Sequence, residues 1–225
     1  MRPLIFFPVT FLLVLGSLLL LVFLFLFIQI GIISYAYERL GISAEMVFPL
    51  LLLSLVGSSF NIPLTRIESG PVLSARVVEF FGIRHVIPTL EQHQPTILAV
   101  NVGGAIIPTC ISLYLLLSSG LIGRGLLGIA IVSAIVHRLA RPIPGVGIAI
   151  PIFIPPLIAA ASGLVLAPEH APALAYIAGT LGCLIGADLL NLSKLAGLGA
   201  PVASIGGAGT FDGIFFTGII AVLLT

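Results

Sequence analysis

Apolar residues run along the chain in long blocks separated by short polar breaks, and the length of each block predicts the element it forms. The blocks fall near residues 8–34, 46–64, 96–119, 121–137, 143–167, 172–192 and 207–225. Most reach the roughly 20 residues that carry a helix across a hydrocarbon core. The second and fourth are short, so each reads equally as a re-entrant or tilted segment supported by its neighbours. The apolar stretch that contains the first block, Leu4 to Ala36, exceeds the apolar stretch of about 7 to 15 residues of a cleaved signal peptide and reads as a retained signal anchor. The expected fold class is all-α: one polytopic transmembrane helix bundle over 1–225, with about seven spans. No repeat of 20 to 50 residues and no inverted symmetry is visible.

Composition agrees with the pattern. Hydrophobic residues make up 59% of 225 positions and charged residues 8%, against about 25% in soluble domains. So few charges cannot cover a water-facing surface. The net charge of +1, with its basic residues scattered, gives no reason to expect nucleic acid. Lys and Arg are commoner in cytoplasmic loops, and with the N-terminus inside that side holds Arg2, Arg66, Arg76, Arg84, Arg138, Arg141 and Lys194. Only Arg39 and Arg124 remain outside. The split predicts an inside N-terminus, an outside C-terminus and a multi-pass membrane protein, with the lipid bilayer as its first partner.

Residues 65–95 carry Arg66, Glu68, Arg76, Glu79, Arg84, His85, Glu91 and His93 and form the main cytoplasmic loop. The β-branched and aromatic residues on either side of Gly82 suggest a short hairpin, with an amphipathic surface helix as the rival. Three other places break the backbone. RPIPGVGIAIPIFIPP in the fifth block holds Pro142, Pro144, Gly145, Pro151, Pro155 and Pro156, and interior prolines exclude a straight continuous helix there. VNVGGAIIP opens the third block with Asn101, Gly103 and Gly104, and FNIPL closes the second with Asn61. Irregular backbone in lipid has to be covered or has to line a cavity, and all three breaks are expected at one cytoplasmic depth. Helix packing explains any single break as well, since Gly and Pro are common in membrane helices.

The only two aspartates, Asp188 in GADLLNL and Asp212 in IGGAGTFDGIFF, fall in the sixth and seventh blocks. Asp212 is about 8 Å along a helix axis from Gly207, and Asp188 about 6 Å from the end of its block, so consecutive antiparallel spans carry both at a similar depth. A carboxylate in hydrocarbon costs at least a few kcal/mol and marks a functional site. Two together can share a proton; one then activates water while the other polarises a carbonyl. Asn191, Gly207 and Gly209 would lie beside them on a substrate or ion pathway shared with Asn61, Asn101, Gly103, Gly104, Pro144 and Gly145, and Gly206, Gly207 and Gly209 would let backbone approach. The structural alternatives are a helix N-terminal position for Asp212 and a local ion pair of Asp188 with Lys194.

Other chemistry is sparse. His85, His93, His137 and His170 show no metal-ligand spacing, so no metal and no cofactor is expected. Ser58 and Ser59 lack a partner histidine for nucleophilic catalysis. Cys110 and Cys183 read as small buried hydrophobes, and Tyr114 and Tyr176 as packing or interfacial residues.

NIPL, VNVGGAIIP, GADLLNL and IGGAGTFDGIF together resemble a family of uncharacterised bacterial and archaeal integral membrane proteins, a domain of unknown function, over nearly the whole chain. That resemblance implies a prokaryotic inner-membrane location. The paired aspartates on the sixth and seventh spans, the second after a G-x-G turn, resemble the arrangement in presenilins and signal peptide peptidases, which would make Asp188 and Asp212 the catalytic pair of an intramembrane aspartyl protease. Ala187 stands where those families carry Tyr, Thr210 and Phe211 separate the G-x-G from Asp212, and no later span carries their Pro-Ala-Leu motif. Three functions remain open: a hydrolase of membrane peptides, a transporter or channel for protons or small ions using the same carboxylates, and a scaffold whose loop binds a partner.

Overall fold

A computed structural model describes residues 9–67, 72–80, 83–91, 95–143, 147–195, 201–207 and 213–225. It is mostly helical, with seven α-helices among these residues: α1 (Val9–Arg39), α2 (Ala44–Gly57), α3 (Ile107–Ser118), α4 (Ile122–Leu139), α5 (Ile154–Leu166), α6 (Ala171–Cys183) and α7 (Gly213–Leu223). Three apolar helical stretches are long enough to cross a membrane: Val14–Arg39, Ile122–Leu139 and Pro168–Leu195. The remaining apolar helices are shorter. Large apolar side chains such as Leu21, Phe23, Leu117 and Val165 lie exposed on the outside, as a lipid-facing surface requires and a water-facing one disfavours.

The expectation of an all-α fold needs correction, because three apolar blocks end or begin in strand. The second block is helical only to Gly57 and continues as β1 (Asn61–Ile67). The third opens with β4 (Thr96–Asn101) and one wide π-helical turn, Val102–Ile106, before α3. Between them, β2 (Val72–Phe80) and β3 (Ile83–Glu91) pair antiparallel as the hairpin expected around Gly82. The proline-rich fifth block is not one helix: β5 (Arg141–Ile143) and β6 (Gly147–Ala149) form a hairpin, and α5 starts only at Ile154. Pro155 and Pro156 sit in the first turn of α5, where the amides they lack have no intrahelical acceptor. A short strand, β7 (Val202–Ile205), precedes α7.

β1, β4 and β7 form one sheet in that order. β1 runs antiparallel to β4 from Asn61 opposite Asn101 to Ile67 opposite Thr96, and β7 runs parallel to β4 from Val202 opposite Ile97. Pro63 is tolerated because β1 is an edge strand. Every strand lies in a connection between α2 and α3, α4 and α5, or α6 and α7; the alternate connections, 40–43, 119–121 and 167–170, hold none.

α6 is the axis of the bundle, with Leu174 through Leu181 buried and α3, α4, α5 and α7 packed around it. Small residues permit this. A Cβ on Gly182 would stand 2.6 Å from that of Val132 on α4, so the two backbones meet closer than any side chain allows. Tyr176 is fully buried, whereas Tyr114 is exposed. Cys183 is buried as expected, its thiol 3.4 Å from the Thr217 hydroxyl; Cys110 is exposed, contrary to expectation, because its helix turns that face outward.

Candidate functional site

The C-terminal end of α6 is built to place Asp188. After Cys183 the helix widens into a π-helical turn, Leu184–Asp188, and then tightens into a 3-10 stretch, Leu189–Leu195. Such changes of pitch free backbone carbonyls, which in an apolar interior need donors. Asn191 supplies them: its Nδ2 donates to Gly186 O at 2.8 Å and to Ala187 O at 2.9 Å, and the residue is fully buried. Asn191 therefore fixes the turn that carries Asp188. The sequence places Asn191 on a substrate or ion pathway; in the structure its amide holds the turn that carries Asp188.

Asp188 is partly buried, and its Oδ2 accepts a long hydrogen bond of 3.3 Å from Gly206 N at the end of β7. Gly206 and Gly207 have φ of 79° and 89°, the left-handed region open to glycine at no steric cost. A Cβ on Gly104 would collide with Gly206 O, so the π-helical turn before α3 crosses directly over the turn after β7. Gly103 meets the end of α2 in the same way, against Ser54 O and Ser58 N. The breaks that close the second block and open the third thus meet at Gly103, while Gly104 joins them to the turn after β7.

Polar side chains lock the crossing. Asn101 Oδ1 accepts from Gly104 N at 2.7 Å and caps the π-helical turn, while its Nδ2 donates to Ser58 O at 2.7 Å and to Asn61 Oδ1 at 3.1 Å. Ser204 Oγ donates to that same Asn61 oxygen at 2.6 Å. One side chain from each strand therefore joins the network, which pins the register of the sheet. Asn61 and Asn101 hold structure together here, and neither lines the cavity beside Asp188.

That cavity measures about 210 Å³, and its walls are Asp188, Leu98, Gly147, Ile148, Leu192 and Leu195, with β7 and Gly207. Ile97 N donates to Pro201 O at 3.1 Å, which sets the phase of the parallel ladder. Ala203 faces β4, so Val202 and Ser204 turn their backbone groups to the other side, as does the Gly206 N–H that reaches Asp188. Among the described residues no strand pairs with that side. A carboxylate thus stands at the end of an open strand edge, with mixed polar and apolar walls around it.

Asp212, Gly209, Pro144 and Gly145 lie outside the described residues. Gly213, directly after Asp212, lines an apolar groove of about 430 Å³ with Phe216 and Ile220, and Ile148 borders both this groove and the Asp188 cavity. Ile148 and Ser204 were not singled out from the sequence. The only available signal was the β-branched run VASI ahead of Gly206, too short to separate from the loop around it. Among the described residues no cluster of His, Cys, Asp and Glu has metal-binding geometry.

No curated protein and no solved structure matches the chain. A family profile matches residues 55–224, which takes in the three-stranded sheet and both aspartates, and the chain belongs to that family, the proteins of unknown function DUF1614.

Proposed function

We propose that the chain is a membrane-embedded hydrolase of peptide segments, with Asp188 and Asp212 as its carboxylate pair. The observation that carries this reading is the position of Asp188 at the open edge of β7, beside a half-open cavity. An extended peptide laid along that edge would receive main-chain hydrogen bonds from Val202 and Ser204 and would bring a carbonyl beside the carboxylate. Asp212 immediately precedes α7, whose first residue, Gly213, borders the groove that meets the cavity at Ile148. With both acids at one depth, one carboxylate takes a proton from water while its protonated neighbour donates to the substrate carbonyl; the roles exchange as the amine leaves.

The same reading places the protein in the inner membrane as seven spans with the N-terminus in the cytoplasm. The strands occupy alternate connections of the helix succession, all assigned to the cytoplasmic side, where Arg66 and Arg141 lie. The four shorter helices would cross together with the irregular turns and strands that extend them. The turns at Gly103, Gly104 and Gly206 are covered by protein, as non-helical backbone at membrane depth must be.

Cleavage of a transmembrane peptide by the full chain in proteoliposomes tests the proposal. Asp188→Asn and Asp212→Asn should each reduce turnover by roughly 10²-fold or more, the scale of a lost general acid or base, with melting unchanged. Retained cleavage in either variant overturns it. Proton or cation flux that responds to a pH gradient and is lost in both variants, without cleavage, would instead establish the transport reading.

A further inference from the structure

At the end of the bundle away from Asp188, the turns before α4 and before α6 enclose the largest of the cavities described, about 660 Å³. Ala171 begins α6 there, about 26 Å of helix from Asp188 at 1.5 Å per residue, so the two sites are separate. The walls include Ser119, Leu121, Arg124, Pro168, Glu169 and His170.

The cavity holds one guanidinium and one carboxylate, yet neither Arg124 nor Glu169 has an ion-pair partner among the described residues. Opposite charges that share a cavity without pairing leave each sign open to a ligand that carries both. Arg124 offers a forked donor that fits a phosphate. Glu169 accepts from an ammonium. His170 adds to the second group: its Nδ1 lies 2.9 Å from Glu169 O and donates to it, which leaves Nε2 of the neutral ring as an acceptor. The Ser119 hydroxyl is buried and lacks a protein partner among the described residues.

The surroundings decide what kind of molecule carries those charges. Leu117, Ile122 and Val165, on the helical turns next to the cavity, are 71%, 48% and 77% exposed. A polar floor flanked by exposed apolar side chains fits an amphiphile with a charged head and acyl chains along the helices. We propose that this cavity binds the headgroup of a zwitterionic phospholipid with a primary amine, its phosphate on Arg124 and its ammonium on Glu169 and His170.

Native mass spectrometry of the delipidated full chain in detergent tests this, with phosphatidylethanolamine, phosphatidylglycerol and the chain-free glycerophosphoethanolamine as probes. Phosphatidylethanolamine should bind about tenfold more tightly than phosphatidylglycerol, the scale of one charge-assisted contact. Glu169→Gln should erase that preference, and Arg124→Ala should weaken both lipids. Both side chains are exposed, so melting should stay at the wild-type temperature. Equal binding of the two lipids, or a preference that survives Glu169→Gln, overturns the proposal. Binding of glycerophosphoethanolamine as tight as that of the lipid assigns the site to a soluble zwitterion and overturns the lipid.

Discussion

Asn191 shows how one residue secures another in an apolar interior. Leu is close to it in volume but offers no donor, so Asn191→Leu leaves Gly186 O and Ala187 O unpaired in a buried turn. Asn191 Oδ1 is itself buried without a partner among the described residues, and its removal offsets part of the loss. A net destabilisation of about 1–3 kcal/mol is expected, measured by thermal unfolding in detergent. Gly206 is constrained differently. At φ 79° an alanine is strained by about 1–2 kcal/mol, and its Cβ would stand 2.6 Å from that of Ala105. Gly206→Ala should therefore lower the melting temperature more than alanine at Gly16, which has open space around it. Equal effects would show that the crossing of the two turns is not tight.

Elements differ in how far their neighbours hold them. β2 and β3 pair extensively with each other, whereas β1 and β4 are bound into the sheet that carries the site. Ile67 and Thr96 lie opposite each other where the hairpin leaves and rejoins the sheet. Replacing residues 68–95 with a two-residue Asn-Gly turn should preserve the register of β1 against β4, since that turn suits the twist of an antiparallel pair. Unfolding should then shift by less than about 1 kcal/mol, the scale of an exchange of surface loops. A large loss would mean that the hairpin supports the bundle. The hairpin was legible in the sequence because its polar and β-branched residues contrast with the apolar blocks. β1, β4 and β7 were not: buried strands and buried helices are both continuous apolar runs, and four to seven residues give too little length to decide.

For the whole molecule, the proposed topology separates the two cavities by the thickness of the bundle. Single cysteines test it in a background with Cys110 replaced, because that thiol is exposed while Cys183 is buried. Arg66→Cys in β1 should react with an impermeant thiol reagent only from the cytoplasmic side, and Gly120→Cys only from the opposite side. Labelling of both from one side would refute the alternation of spans. In either result the sheet, the π-helical turns and Asp188 stay together, since their contacts are internal to the chain.

The sequence alone determined that the chain is mostly helical and apolar, and which residues break its helices. Those properties follow from local composition, from proline's missing amide and from the cost of charge in an apolar medium. It also singled out Asp188, because an acid inside an apolar block has no local reason to be there. Tertiary structure decided what the breaks are for. Asn61 and Ser204 are 143 residues apart, yet they share one hydrogen bond across a three-stranded sheet, and Gly104 and Gly206 come from different turns to occupy one crossing. No window of sequence contains such a pairing, because it depends on which apolar runs pair as strands and on how closely glycines let two backbones pass.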